Sequence, residues 1–342
     1  MRSLLTVLTT VALQMATAQV SPYTAKSLVP PDSLGNYRLL IGGHFHGAST
    51  SRSGYPASTV LAGLDAINAT RANVFLSTGD LFMDPDRDSA RYRHAFFSKL
   101  DLALFNAPGN HDLEGEAFDP SSNTPLLLTM GRDRILLLDT ERDDSRVLRD
   151  QLGLIAELAK SSGSGAIDRV FIISHRPIWS EEDARYSALF AGNTRALAGS
   201  NYVSDVLPLL RRIAKQSQVF WISGSMAGRA PASIFFQPEE TNITYIQCAV
   251  RDELRDALLV ADVSSGAVEW SSISLTRMPL DPVDTYNAAW WEARMGVTEE
   301  FHWRRIPYLI RMNVTHPAFW YGVGSTALML MVLWSLARRR KK

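Results

Sequence analysis

The chain has one cysteine, Cys248, among 342 residues, so no intrachain disulfide is available and any domain outside the cytosol rests on its packed core alone. Cys248 lies in an apolar, strand-like run and reads as a small buried residue. An excess of charge of one sign is also lacking, because 35 Lys and Arg balance 35 Asp and Glu. Without a basic face, or aromatic and basic residues interleaved, nucleic acid is not an expected partner. Histidine is scarce, with seven in all. No internal repeat is evident, and the long apolar runs lie at the two ends.

Those ends predict a passage through a membrane. Arg2, a modest apolar run from Leu4 to Met15, and Ala16-Thr17-Ala18 together read as a secretory signal over 1–18, with small residues where a signal peptidase reads. A buried helix is the poorer reading, since the run is too short to cross a bilayer and Gln14 and several threonines suit a core badly. From Ala318 to Ala337 the chain is uncharged and mostly apolar, and about 20 helical residues match a hydrocarbon core of roughly 30 Å. Phe319, Trp320, Tyr321 and Trp334 lie where rings favour the headgroup zone, and the basic run 338–342 predicts a cytoplasmic tail. The rest of the chain is then expected outside the cytosol, in a periplasm, an extracellular space or a secretory lumen. Asn68, Asn242 and Asn313 begin N-x-S/T triplets, which take glycans only in a eukaryotic host.

Between the ends, 19–36 is rich in Pro and Ser and reads as a spacer. Strands are expected at Tyr37–Ile41, Asn73–Ser77, Ala103–Ala107, Ile135–Leu138, Val170–Ile173, Val219–Ile222, Ile243–Ala249 and Ala257–Val263. Helices are expected at Thr59–Ala72, Asp88–Leu100, Arg146–Lys160 and Val203–Ala214. Helices alternating with strands early and strands dominating later imply a layered α/β domain over 37–275. Ser161 to Gly165 follows a helix and precedes a strand, which is the wrong order for a phosphate loop, so it reads as a turn. Residues 276–317, with Trp290, Trp291 and Trp303 among mixed charges, suit either a juxtamembrane stalk or a small packed subdomain.

The chemistry gathers in four phrases, each after an expected strand: Gly43-His44-Phe45-His46-Gly47, Thr78-Gly79-Asp80, Gly109-Asn110-His111-Asp112 and Ser174-His175-Arg176-Pro177. His44 and His46 leave an extended segment on one side, as alternate residues do. Asp80 projects from a strand's carboxyl end, where ligands gather in open α/β sheets. Each phrase alone is weak, and a lone histidine after a strand is more often a hydrogen bonder than a ligand. In sequence order, however, the four hold four of the seven histidines together with the aspartates and the amide that a pair of hydrolytic metal ions uses.

The set resembles the calcineurin-like metallophosphoesterases, whose pattern runs D-x-H, G-D, G-N-H-D/E, a single H, then G-H-x-H. Leu138-Asp139-Thr140 followed by Asp150-Gln151-Leu152 resembles that family's segment between its third and fourth motifs. The resemblance implies a layered β-sandwich flanked by helices over about Arg38 to Leu275, and one or two divalent ions of Zn, Mn or Fe type. It implies that Asp80 bridges the ions, that His44 and His46 face the first, and that Asn110 and His175 bind the second. His111 would protonate the leaving group, oriented by Asp112, while a metal-activated hydroxide attacks a phosphate-ester substrate.

Two departures qualify the activity. His44 stands at the family's aspartate position, which replaces an anionic ligand by imidazole, a ligand that still suits zinc or iron. In Gly224-Ser225-Met226-Ala227-Gly228, Ser225 and Ala227 stand where two histidines are expected. His94, Glu114 and Glu116 are candidate replacements, and the serine is one place too early for a G-x-S-x-G nucleophile. The expectation is a membrane-anchored phosphoesterase with an altered metal site. The alternative is a catalytically inactive relative, a pseudoenzyme, that serves as a binding or scaffold module for a partner the sequence does not identify.

Overall fold

A computed structural model describes residues 19–48, 51, 53–113, 124–226, 230–295, 306, 310, 314 and 317–339. The expected signal segment, Glu114, Glu116, Ala227, Asn313 and the last three basic residues lie outside them. Two sheets carry the domain. The first has the order β11(Val268–Ser274)-β10(Ala257–Val263)-β1(Tyr37–Gly42)-β2(Val74–Ser77)-β3(Leu104–Asn106). The second runs β4(Leu126–Met130)-β5(Asp133–Leu137)-β6(Arg169–Ile173)-β7(Gln218–Ser223)-β9(Ile243–Cys248)-β8(Ile234–Glu240). Strands β1, β2 and β3 are mutually parallel, as are β5, β6, β7 and β9, and antiparallel strands flank both sets.

Period-two alternation decides which way each side chain turns. Leu39 and Ile41 of β1, with Val74 and Leu76 of β2, enter the core shared with Ile135, Phe171 and Phe220 of the second sheet. Leu40 and Phe75 point the other way, into a layer completed by Val60, Ile67 and Tyr92. Those three belong to helices α1 (Ser58–Ala62), α2 (Leu64–Ala69) and α3 (Pro85–Ala95). Each wholly buried Leu, Ile or Phe contributes about 1.5–3 kcal/mol, so the face assignment is strongly determined. On the second sheet, α4 (Arg149–Gly163) and, beyond the short α5 (Ala184–Ser187), α6 (Leu207–Ile213) supply Ile155, Leu158, Leu210 and Ile213 to the core.

Several expected helices shift for identifiable reasons. The run 59–72 divides at Gly63, whose bare Cα lets Leu275 approach to where a Cβ would meet its Cδ2 at 2.5 Å. Helix α3 starts earlier than expected because Asp84 caps it, its Oδ1 accepting from the Arg87 N–H at 3.1 Å. The run 203–214 opens as a π-helical turn, Tyr202–Val206, ahead of Pro208, which has no N–H for an α-helical bond. After α4 the chain turns at Gly165, with φ +70°.

Two boundaries also move. Residues 19–36, expected as a spacer, dock on the edge of the first sheet: Ser21 Oγ donates to the Leu104 carbonyl (2.6 Å) and Thr24 Oγ1 to that of Leu102 (2.9 Å). Residues 276–295, for which a stalk and a small packed subdomain are both open in the sequence, extend the domain. Trp291, on α7 (Ala288–Glu292), is fully buried and its indole N–H donates to the Ile234 carbonyl (2.9 Å). Helix α8 (Pro317–Arg339) includes a stretch Ala318–Leu336 that is long and apolar enough to cross a membrane, and its large apolar side chains are exposed. Arg338 lies over the Trp334 ring at 3.8 Å.

Candidate metal centre

Strand register brings the phrases together. Gly42 pairs with Ser77 and Ser77 with Asn106, so the three parallel strands of the first sheet stop at one level and their loops leave side by side. In the second sheet Ile173 pairs with Ile222, and the loops carrying His175 and Ser225 likewise begin together. The loops are tightly turned. His44 and Asp80 occupy the left-handed region at φ +60° and +54°. Such conformations cost about 1–3 kcal/mol each and persist where the surroundings fix them. Gly109 is obligatory, because a Cβ there would sit 2.2 Å from Asp80 Oδ1.

Asp80 is the hub. Its Oδ2 lies 3.3 Å from His44 Nε2, 3.4 Å from His46 Nε2 and 3.5 Å from His175 Nε2. Its Oδ1 accepts the backbone N–H of His111 at 3.1 Å. The imidazoles of His44 and His46 are 4.1 Å apart, and that of His111 stands edge-on to His46 at 5.1 Å. Asp80 and the three histidines around its Oδ2 are buried, whereas His111 is half-buried at the rim. His175 Nδ1 donates to the Thr78 carbonyl (3.0 Å), which leaves its Nε2 with a lone pair for the crevice.

Electrostatics favour the protonation states a cation needs at His44 and Asp80, and oppose them at His175. Burial pushes His44 down to about 3, with His46 adding to the effect and Asp80 opposing it. Burial works against the Asp80 anion, yet His175 and the hydrogen bond from His46 hold the carboxyl well below its usual range. Burial alone would lower His175, but the charges of Asp80 and Glu141 raise it. Asp80 is therefore anionic and His44 neutral at pH 7, as metal ligation requires. The ligand atoms of His44, His46 and Asp80 all lie within 4.8 Å of one another. Buried Nδ1 atoms of His44 and His46 have no hydrogen-bond partner among the described residues. Two imidazoles and a carboxylate suit zinc or iron, so these residues fit a divalent ion.

Asp112 sits differently from its expected place against His111. Its Oδ1 accepts the N–H groups of Leu81 (2.8 Å) and Phe82 (3.3 Å), and its Oδ2 those of Gly109 and the Asn106 amide, both at 3.0 Å. His111 Nδ1 is left without a partner among the described residues. Asp112 thus ties the Asp80 loop to the Asn110 loop and does not orient His111 by hydrogen bond. Burial, then the Asp80 charge, raises its carboxyl above the ordinary value.

In the broken fifth phrase, Ser225 is turned inward. The Ser225 carbonyl accepts from the amides of Asn193 and Gln247, and its hydroxyl accepts the Thr194 N–H at 3.1 Å. Thr194 Oγ1 in turn donates to Asn110 Oδ1 (3.2 Å). Gly224 allows this approach, since a Cβ there would fall 2.2 Å from the Thr78 carbonyl. Thr194, Asn193 and Gln247 carry no motif signal in the sequence. His94 is exposed on α3 and does not join the group. The two tripeptides between the third and fourth phrases meet: Gln151 accepts the Asp139 N–H (2.8 Å) and donates to the Asp139 carbonyl (2.9 Å).

No family profile and no curated protein sequence matches the chain. Among solved structures, a dimetal phosphatase from Danio rerio is similar over 70% of this chain and 96% of its own, with a TM-score of 0.50 and 13% identity. GAP50, described as the anchor in the inner membrane complex of Plasmodium, is similar over 77% of this chain and 96% of its own, with a TM-score of 0.48 and 13% identity. The Danio rerio likeness concerns the fold: two sheets flanked by helices in a metallophosphoesterase-like arrangement.

Proposed function

We propose that this metallophosphoesterase-like fold works as a membrane-anchored phosphoesterase outside the cytosol, with an altered metal centre. The reading is supported above all by three imidazole Nε2 atoms meeting one oxygen of Asp80. In it, His44, His46, Asp80, Asn110 and His175 hold divalent metal, one ion or two. A bound ion of this kind lowers the pKa of water toward neutrality and offsets charge on the phosphoryl oxygens.

The chain's own groups do the rest. Asp80 stays ionised through the surrounding histidines and keeps the site complementary to a cation. His111, fixed by its backbone N–H to Asp80 and half-exposed at the rim, delivers a proton to the leaving ester oxygen as the P–O bond breaks. Asp112 holds the two loops in register. The apolar, exposed face of α8 supports anchoring in a bilayer, with the basic end on the cytoplasmic side.

A second reading has its own observation. With Ser225 hydrogen-bonded inward, the fifth phrase offers no imidazole, and the same site would bind a phosphorylated ligand without turnover. Metal analysis of the detergent-solubilised chain, paired with hydrolysis of bis(p-nitrophenyl) phosphate in added Zn²⁺ or Mn²⁺, separates the two. Turnover abolished by Asp80→Asn supports the enzyme; metal uptake without turnover supports the binder. A chain that takes up no metal refutes both.

A further inference from the structure

We infer that the centre holds a single divalent ion, on His44, His46 and Asp80, and that the position beside Asn110 and His175 takes none. The inference rests on the metal-dependent reading above and narrows it. Charge is the first argument. Among the ligands placed here only Asp80 is anionic, because His44 is an imidazole. Two dications against one carboxylate would bury a net charge of about +3, and burying unpaired charge is among the most expensive acts in a protein interior. One dication leaves about +1, which an incoming phosphate ester can balance.

Donor supply is the second argument. His44, His46 and Asp80 give three strong ligands within 4.8 Å of one another, the number a catalytic zinc site uses while keeping one position open. Beside His175, by contrast, the Asp80 oxygen would have to be shared. Asn110 contributes a neutral amide oxygen that already accepts from Thr194 Oγ1 at 3.2 Å. Ser225, whose hydroxyl accepts the Thr194 N–H, contributes no imidazole. Thr194 therefore engages Asn110 Oδ1 and Ser225 Oγ in hydrogen bonds among neutral groups, where a second cation would need anionic or imidazole donors.

The test is stoichiometry. The full chain in detergent is equilibrated with excess Zn²⁺, desalted, and analysed for metal per chain by mass spectrometry; Co²⁺ substitution provides an absorption spectrum of the ligand field. One ion per chain is expected, lost in His46→Ala and retained in His175→Ala. Two ions in the wild type overturn the inference and leave the phosphoesterase reading standing. No ion overturns that reading itself. An ion kept by His46→Ala, or lost from a folded His175→Ala, also overturns the inference. If either variant fails to fold by circular dichroism, the wild-type count and Co²⁺ spectrum still decide.

Discussion

Replacing Asp80 by Asn removes one charge from a buried hub and leaves its shape nearly intact. Asn can still accept the His111 N–H through Oδ1, so that bond, 3.1 Å in the native site, survives. The loss falls on Oδ2, which faces three Nε2 atoms at 3.3–3.5 Å. His44 is neutral, its pKa being pushed down to about 3, so the partners that favour the Asp80 anion are His46, at hydrogen-bond distance (3.4 Å), and His175. A hydrogen bond to a charged group contributes about 1.5–3 kcal/mol. In a domain of this size, about 2–4 °C of Tm corresponds to each kcal/mol, so the metal-free variant should melt about 3–12 °C lower. Metal sharpens the contrast. At 100 times its Kd, a ligand of the native state adds about 2.7 kcal/mol, which should raise the wild-type Tm by roughly 5–11 °C and be reversed by EDTA. Differential scanning fluorimetry with and without Zn²⁺ reads both effects. If Asp80→Asn keeps the wild-type metal-induced rise, Asp80 is not a ligand and the centre is misassigned.

Further predictions follow from other residues. His44 has its folded pKa lowered to about 3, so the unfolded chain binds a proton that the folded chain refuses. Its contribution to stability is present above about pH 6.5 and is lost as pH falls toward 3, at up to ~1.4 kcal/mol per pH unit. Metal-free His44→Gln should therefore gain on the wild type between pH 7 and 5 in urea unfolding, and a widening deficit would contradict the assignment. Gly109→Ala forces a Cβ toward Asp80 Oδ1 and should destabilise by about 1–3 kcal/mol while abolishing metal uptake. Trp291→Ala empties a fully buried site and should cost about 3–5 kcal/mol; a change below ~1 kcal/mol would return residues 276–295 to a stalk. Deleting 317–342 should move the chain from the membrane to the soluble fraction on cell fractionation.

What could be read in advance follows from the physics of each element. Strands β1, β2, β6 and β7 are near-continuous apolar runs because both faces are covered, and such runs stand out in a sequence. Strands β4, β8 and β11 did not, since Pro238, Glu239 and Glu240 end one and the exposed Glu269 and Ser271 make another polar on its outer side. Helix breaks at Gly63 and Pro208 depended on what each residue touches in three dimensions. The four site phrases were legible because each combines a turn with ligand chemistry directly after a strand. Their connections were not. Asp112 was recognisable as a carboxylate beside His111, but its four donors come from Leu81, Phe82, Gly109 and Asn106. Thr194 reaches Asn110 from 84 residues away, a relation that no local pattern encodes.

The docking of residues 19–28 on β3 bears on how the domain is completed. Ser21 and Thr24 bond to carbonyls 83 and 78 positions further along, and Val20 bridges to Ser27 beside them. Strand margins left bare invite pairing with another chain. Here the seal is supplied by residues synthesised before the strand they cover, so the earliest stretch of the domain must wait, unpaired, for β3 to emerge.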